Sequence, residues 1–465
     1  MLFDDLLKIE DSKALFSYQF KGINVPIWFY IRNEILREII DCEFSQSDPR
    51  VLTNKNKTIE MLKYFLLTLI KNPFFSNQKD IYIFGSDVVN VKENGKFINR
   101  LYNDFYETFP NKTQILESST NRRYQRPKKH KSIYYSDLLD LFTILLSKFV
   151  QVKKEDKLSI SELISFLKKN VKHESLNDLY FIKLEKILII ISKRVRFSSF
   201  IYKYLFKIKK PKLIILEDAS YGSMAHIILL AKELGIVTAE YQHGYIGLSH
   251  RGYNHNLKHK QNEKYFPDYF LHYGKYWGRQ CRLFSKKVAI GSPNISKTLN
   301  KYKTKQNELK TILFISGGTS PQEVTQLIID LKKDSQFREY RILFRPHPAE
   351  KFFLDTRYGL LKDLNIEIHD SNLYDALVSV DYVISDGVST VLYEALYFMN
   401  KIYMMDTRFT KFYEENSIFP TFKTSNELKT LILDNVEVQQ DRNDIWDKNW
   451  KLNYENFINE VLELK

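Results

Sequence analysis

From residue 311 onward, short unbroken apolar runs alternate with amphipathic stretches. The runs fall at Thr311–Ile315, Arg341–Phe344, Ile366–His369, Tyr382–Ile384 and Ile402–Met405. An apolar run without alternation reads as a strand buried on both faces of a parallel sheet. Between them, apolar positions at three- and four-residue spacing predict helices near Gln322–Lys333, Leu373–Ser379, Thr390–Phe398 and Ser425–Asn435. The same alternation runs through Lys212–Leu216, a helix over Tyr221–Leu234 closed by Gly235, and the strand Ile236–Tyr241. That is a βαβ unit, whose right-handed crossover puts both strand ends on one rim.

Upstream the pattern is looser. Asp80–Val89 (DIYIFGSDVV) predicts the first strand, and the stripe Ile27, Tyr30, Ile31, Ile35 and Ile39 predicts helix within residues 1–75. Helices are expected at Ser136–Val150, Ser159–Lys169 and Leu176–Ile191, with no spatial order assigned. The polar, lysine-rich stretch Asn294–Leu309 reads as a linker. The pattern thus predicts an α/β chain with two Rossmann-like, doubly wound domains facing a cleft. Its parts are a helical region 1–75, a first domain 76–293, a second domain 310–443, and a helix in 444–465 crossing back over the first domain.

Composition narrows the class. A chain of 465 residues exceeds one ordinary core. The formal charge of +14 suits either a lysine-covered surface or an anionic partner. Lys193–Lys212 interleaves Lys193, Arg194, Arg196, Lys203 and Lys207 with Phe197, Phe200, Tyr202, Tyr204 and Phe206. It reads as an ordinary amphipathic helix or as a face for an anionic membrane surface. Asn121–Lys131 reads as a solvated basic loop, and no nucleic-acid-binding signature is present. Cys42 and Cys281, alone and far apart, argue against a disulfide framework or a cysteine zinc site and fit a reducing cytoplasm. An acidic N-terminus and the lack of about 18 consecutive apolar residues predict neither signal peptide nor membrane span. His243, His250, His255, His259 and His272 are five of ten histidines, but they lack HxH or HExxH spacing, so no metal is expected.

The candidate chemistry lies at strand ends. Pro346 and Pro348 stop the strand that begins at Arg341, leaving Arg345 and His347 on one face. The next strand ends in Ser385-Asp386-Gly387, and a helix starts at Ser389-Thr390. A cation, an imidazole and a helix start at neighbouring strand ends predict a site for a phosphate-bearing ligand. In Ser316-Gly317-Gly318-Thr319-Ser320, glycine amides are candidates to meet a phosphate, with Thr319 or Ser320 as helix cap. Ser389 and Thr390 are themselves candidate caps. Glu394 is a candidate acceptor for ribose hydroxyls, or else a surface carboxylate near a helix start. In the first domain Glu217, Asp218 and His243 are candidate bases, Gln242 a candidate orienting group, and Gly244 allows close backbone approach.

Taken together, YQHG (241–244), GSP (291–293), SGG (316–318), RPHP (345–348) and SDGVSTVLYEAL (385–396) resemble bacterial glycosyltransferases of the two-Rossmann GT-B type. The closest groups are enzymes of capsule, teichoic-acid and lipopolysaccharide assembly: CDP-glycerol glycerophosphotransferases, polysialyltransferases and Kdo transferases. The resemblance covers roughly 211–405. It implies that His243 is the base, that Arg345 and His347 contact donor phosphates, and that Ser389, Thr390 and Glu394 form the donor-side helix start. It further implies a nucleotide-activated donor, CMP- or CDP-linked, as substrate with no separate cofactor, a glycan or lipid-linked acceptor, and a place on the inner face of the cytoplasmic membrane. The chain departs from the teichoic-acid pattern in reading QHGYIG after Tyr241, and from the polysialyltransferase pattern in having Ala219 after Glu217-Asp218. Two other readings stay open: a UDP-N-acetylglucosamine 2-epimerase-like enzyme, which shares the architecture, and a non-catalytic scaffold of envelope-polysaccharide assembly at the membrane.

Overall fold

The computed structural model of the chain describes residues 2–44, 58–302, 308–347, 350, 353–364, 366–370, 372–414 and 417–463. Pro348 and part of the expected linker lie outside the described residues.

The first sheet has seven strands: β1 (Ile81–Ser86), β2 (Thr113–Ser118), β3 (Tyr134–Tyr135), β4 (Leu213–Leu216), β5 (Val237–Tyr241), β6 (Tyr269–His272) and β7 (Lys286–Ala289). Their spatial order is β3-β2-β1-β4-β5-β6-β7, with every neighbouring pair parallel. The second sheet has six: β8 (Thr311–Ile315), β9 (Arg341–Arg345), β10 (Glu367–Ile368), β11 (Tyr382–Ser385), β12 (Ile402–Met405) and β13 (Thr421–Phe422). Its order is β10-β9-β8-β11-β12-β13, again all parallel. In each sheet the order reverses once, between β1 and β4 and between β8 and β11. Ligand crevices of open α/β sheets form at such points. Two doubly wound domains are therefore the fold, as the pattern predicts.

The strands that patterning did not anticipate are short or mixed. β2 carries buried Gln114 and Glu117, β7 begins with two lysines, and β3 and β13 have two residues each. Such segments lack the apolar run that marks a central strand.

One helix is longer than expected. It runs Asp178–Lys209, from an Asn177 side chain that accepts the Tyr180 N–H to Lys210, whose φ of 47° ends it ahead of Pro211. The basic, aromatic stretch is thus its second half, with Ile201, Tyr202, Leu205 and Phe206 buried against the first sheet. At the other end of the chain, helix Trp450–Glu463 packs Tyr454, Phe457, Ile458 and Val461 on the opposite face of that sheet. Its Tyr454 and Tyr241 hydroxyls are hydrogen-bonded.

The N-terminal region is anchored by charge buried with its partner. On helix Trp28–Glu43, Arg32 lies 2.5 Å from Glu10 and donates to the Asn254 carbonyl at 2.6 Å. The two domains meet through aromatic rings: Trp277 packs against Tyr393 at 4.6 Å between centroids with the ring planes tilted by 53°, and the Trp446 indole donates to the Tyr393 carbonyl at 3.0 Å. Among the described residues no helix is long and apolar enough to cross a membrane.

Candidate functional site

In the second domain two buried carboxylates hold the rim. Asp386, at the end of β11, accepts from the Gly317 amide at 2.6 Å, the Ser320 amide at 2.9 Å, the Thr319 amide at 3.3 Å and the Thr319 hydroxyl at 3.1 Å. The Gly318 amide donates to the Ser316 hydroxyl at 3.0 Å. All four loop amides are spent inside the protein, which corrects the expectation that Gly317 and Gly318 present theirs to a phosphate. The glycines serve packing: a Cβ on Gly317 would sit 2.5 Å from the Gly387 Cα. Thr319 does not cap the following helix, and Ser320, at the cap position, makes no side-chain cap bond.

Glu350 is the second lock, and sequence reasoning missed it. Its carboxylate accepts from Ser316 at 2.7 Å, Tyr358 at 2.8 Å, Arg357 at 3.0 Å and the His347 amide at 3.1 Å. This fixes the turn that follows β9 and leaves the His347 residue exposed. Arg345 is half-buried; burial lowers its guanidinium and the Asp370 carboxylate opposes that shift. Ser385 bonds both polar groups of the Gly387 backbone and so closes its own turn.

Ser389 caps helix Thr390–Ala395, accepting the Val391 amide at 3.3 Å, while Thr390 is the first helical residue. Glu394 is no surface carboxylate. It is buried, accepts from the Tyr374 hydroxyl at 2.6 Å, and burial pushes its pKa up.

The first-domain rim is built differently. Glu217 follows β4 and spans the switch point, accepting the Ser86 amide of β1 at 2.8 Å through Oε2. Its Oε1 is buried without a hydrogen-bond partner, and burial raises the carboxyl to about 8. Burial thus disfavours the charged form of Glu217 and favours the protonated one. Asp218 stands next to it at φ 52°, half-exposed, with Oδ1 3.1 Å from His243 Nδ1. The Tyr253 hydroxyl lies 2.8 Å from the same Nδ1 and donates to buried Glu240 at 3.3 Å. With the Asp218 carboxylate as acceptor, the ring proton is assigned to Nδ1, and the Tyr253 hydroxyl donates to Glu240. That leaves Nε2 as the lone-pair nitrogen. Burial lowers the His243 pKa, Asp218 raises it and the Arg100 charge lowers it.

Arg100 carried no sequence signal. It follows the hairpin Asn90–Glu93/Lys96–Asn99, which the Asn99 side chain ties to the Ser86 carbonyl at 2.9 Å. Among the described residues its guanidinium has no hydrogen-bond or ion-pair partner. Its charge reaches His243 in the first domain and Tyr374 and Glu394 in the second.

Gln242 is fully buried and spends its amide on the Gly244 carbonyl at 2.8 Å and the Tyr273 amide at 3.0 Å. It shapes the turn that carries His243. Gly244 has open space where a Cβ would stand. Of the other histidines, His255 and His272 bond backbone carbonyls, and burial takes His250 down to about 3 and His272 to about 4. Among the described residues no group of three or more His, Cys, Asp or Glu side chains is placed to hold a metal ion.

No family model matches the chain, and no curated protein matches it. Solved structures do. The UDP-GlcNAc 2-epimerase of Methanocaldococcus jannaschii is 11% identical, with 83% of this chain and 99% of that chain covered and a TM-score of 0.45. MurG of Acinetobacter baumannii is 9% identical, over 83% and 99%, at 0.40. The calicheamicin glycosyltransferase CalG4 is 8% identical, over 83% and 95%, at 0.40. At these values the likeness carries no inference about activity. The strand order itself defines the class: two Rossmann-like, doubly wound α/β domains.

Proposed function

We propose that the chain is a metal-independent glycosyltransferase, moving a sugar or polyol phosphate from a nucleotide-activated donor to a surface-glycan or lipid-linked acceptor. The observation that carries this reading is the Asp218–His243 pair at the carboxyl rim of the first sheet, with Nε2 left as the acceptor nitrogen. In an inverting transfer Nε2 takes the acceptor hydroxyl proton as the new bond to oxygen forms and the nucleotide's phosphate departs with the electrons of the breaking bond. Asp218 then stabilises the imidazolium. Arg100 and Arg345 supply positive charge for the leaving phosphate, and the Tyr374–Glu394 pair is the candidate contact to the nucleoside. The donor nucleotide is CMP- or CDP-linked on the resemblance of the RPHP and SDGVST stretches, and the acceptor belongs to capsule, lipopolysaccharide or teichoic-acid synthesis on the same ground.

One observation supports a second reading, a UDP-N-acetylglucosamine 2-epimerase-like enzyme: the buried Glu217 carboxyl, its Oε1 without a partner and its pKa raised by burial, adjoins the half-exposed Asp218 carboxylate, two carboxyl groups in contrasting surroundings. A thermal-shift panel of CMP, CDP, UDP, GDP and their sugars tests both. Stabilisation by a nucleotide at saturating concentration, retained in His243→Ala and lost in Arg345→Ala, is expected. No shift with any nucleotide overturns the nucleotide-sugar reading and favours the scaffold. Conversion of UDP-N-acetylglucosamine without acceptor replaces transfer by epimerisation.

A further inference from the structure

Three helices wrap the β3 edge of the first sheet: Thr58–Ile70, Asp137–Ser147 and Asp178–Lys209. Their inner faces are accounted for. Tyr64 donates to Asp137 at 2.9 Å, Tyr124 stacks on Tyr135 of β3 at 3.5 Å, and Leu139 packs with Ile201, Tyr202 and Leu205. Their outer faces are not those of an ordinary soluble surface. On the first helix Leu62, Phe65, Leu66 and Leu69 are exposed at helical spacing, turned away from buried Tyr64 and Thr68. On and just after the second, Phe142, Leu145 and Leu146 are exposed, with Phe149 80% exposed. On the third the exposed stripe is Ile182, Ile187, Ile190, Phe200, Tyr204 and Ile208. The second helix touches both of the others, and exposed apolar side chains in such numbers mark an interaction face.

Charge says what covers it. Between those apolar positions the third helix exposes Lys183, Lys186, Arg194, Lys203 and Lys207, against Glu185 alone among its exposed acids apart from Asp178 at its start. Lys63 and Lys148 stand beside the stripes of the other two, where the acids are the exposed Asp140 and the half-buried Glu60, the latter paired with Arg123 at 3.4 Å. Apolar side chains framed by cations match a bilayer's acyl boundary beneath anionic headgroups. A self-association face would pair the cations with acids, and the face offers too few. A nucleic acid would use the cations but not the row of leucines, isoleucines and phenylalanines.

We propose that this three-helix face docks on an anionic lipid bilayer. Lysine and arginine stems lie along the apolar stripe with their heads at the phosphates, while Phe65, Phe149 and Phe200 enter the acyl boundary. The face flanks the β3 edge, whereas His243 and Arg100 stand at the carboxyl ends of the strands. Docking therefore leaves the cleft open, and the proposal holds whichever reaction the cleft performs.

The test is flotation of the full chain with vesicles of phosphatidylcholine alone or with phosphatidylglycerol. Binding is expected only to the anionic vesicles, falling with added salt. Reversing Lys183, Lys186, Lys203 and Lys207 to Glu lowers partitioning by about a hundredfold or more. The pair Phe65→Asp and Phe149→Asp lowers it at least about tenfold. All sites are exposed, so unchanged melting and unchanged nucleotide-induced shifts in the variants separate this result from a failure of the site reading. No flotation with anionic vesicles overturns the proposal. So does a light-scattering dimer that Phe149→Asp makes monomeric, which assigns the face to a second copy.

Discussion

The two domains share one strand order and differ in what they do with the carboxyl ends of their strands. In the second, Asp386 and Glu350 gather the loop amides and hydroxyls after β8 and β9 into closed networks. In the first, the same positions carry a half-exposed Asp218 beside His243 and, among the described residues, a Glu217 carboxyl oxygen and an Arg100 guanidinium without hydrogen-bond partners. One rim is shaped and spent; the other is held in readiness. A preformed surface suits binding of a constant group, and unpaired titratable groups suit the moving of protons.

Substitution sharpens that contrast. The largest effect is expected at His243: His243→Ala lowers the turnover rate by about 10²–10⁴-fold while the melting temperature holds, measured as initial rates beside a thermal melt. Asp386→Ala acts on the fold instead. It strips the partner from three amides and a hydroxyl at a site 1% exposed, and urea unfolding should show a loss of about 3 kcal/mol or more. Asp218→Ala, half-exposed at the matching strand end, should cost less than about 1 kcal/mol; equal losses at the two positions would erase the distinction. Glu350→Gln keeps the shape of the second lock and weakens its bonds, costing about 1–2 kcal/mol. The subtlest change is in pH dependence. Arg100 holds the His243 pKa down, so Arg100→Gln raises it, and the acid limb of the rate profile moves to higher pH because the imidazole must be neutral to act. Asp218→Asn removes the opposing charge and moves that limb to lower pH. A limb that stays put in both variants would remove His243 as the base.

Much of the second domain was legible because its central strands are continuous apolar runs ended by Pro or Gly. The first was less so. β2 hides Glu117 and Gln114 within a strand, and the exposed leucines and Phe65 of residues 58–70 look in sequence like any core helix. Glu350 was written three residues after His347, but nothing local tells a surface glutamate from one buried under Ser316 and Tyr358. Arg100 was silent, since a lone arginine after a hairpin has no pattern.

Periodicity and strand-end chemistry in the sequence determined that this is a two-domain α/β protein with titratable and polar groups at carboxyl-terminal strand ends. That information is local, because burial repeats with the period of each element. Only the tertiary structure decided which of those groups are spent and which stay available. Asp386 finds the Gly317 amide 69 residues away because β8 and β11 are neighbours, and Asp218 finds His243 because β4 and β5 are. Partnership follows strand order, which spacing along a chain does not encode.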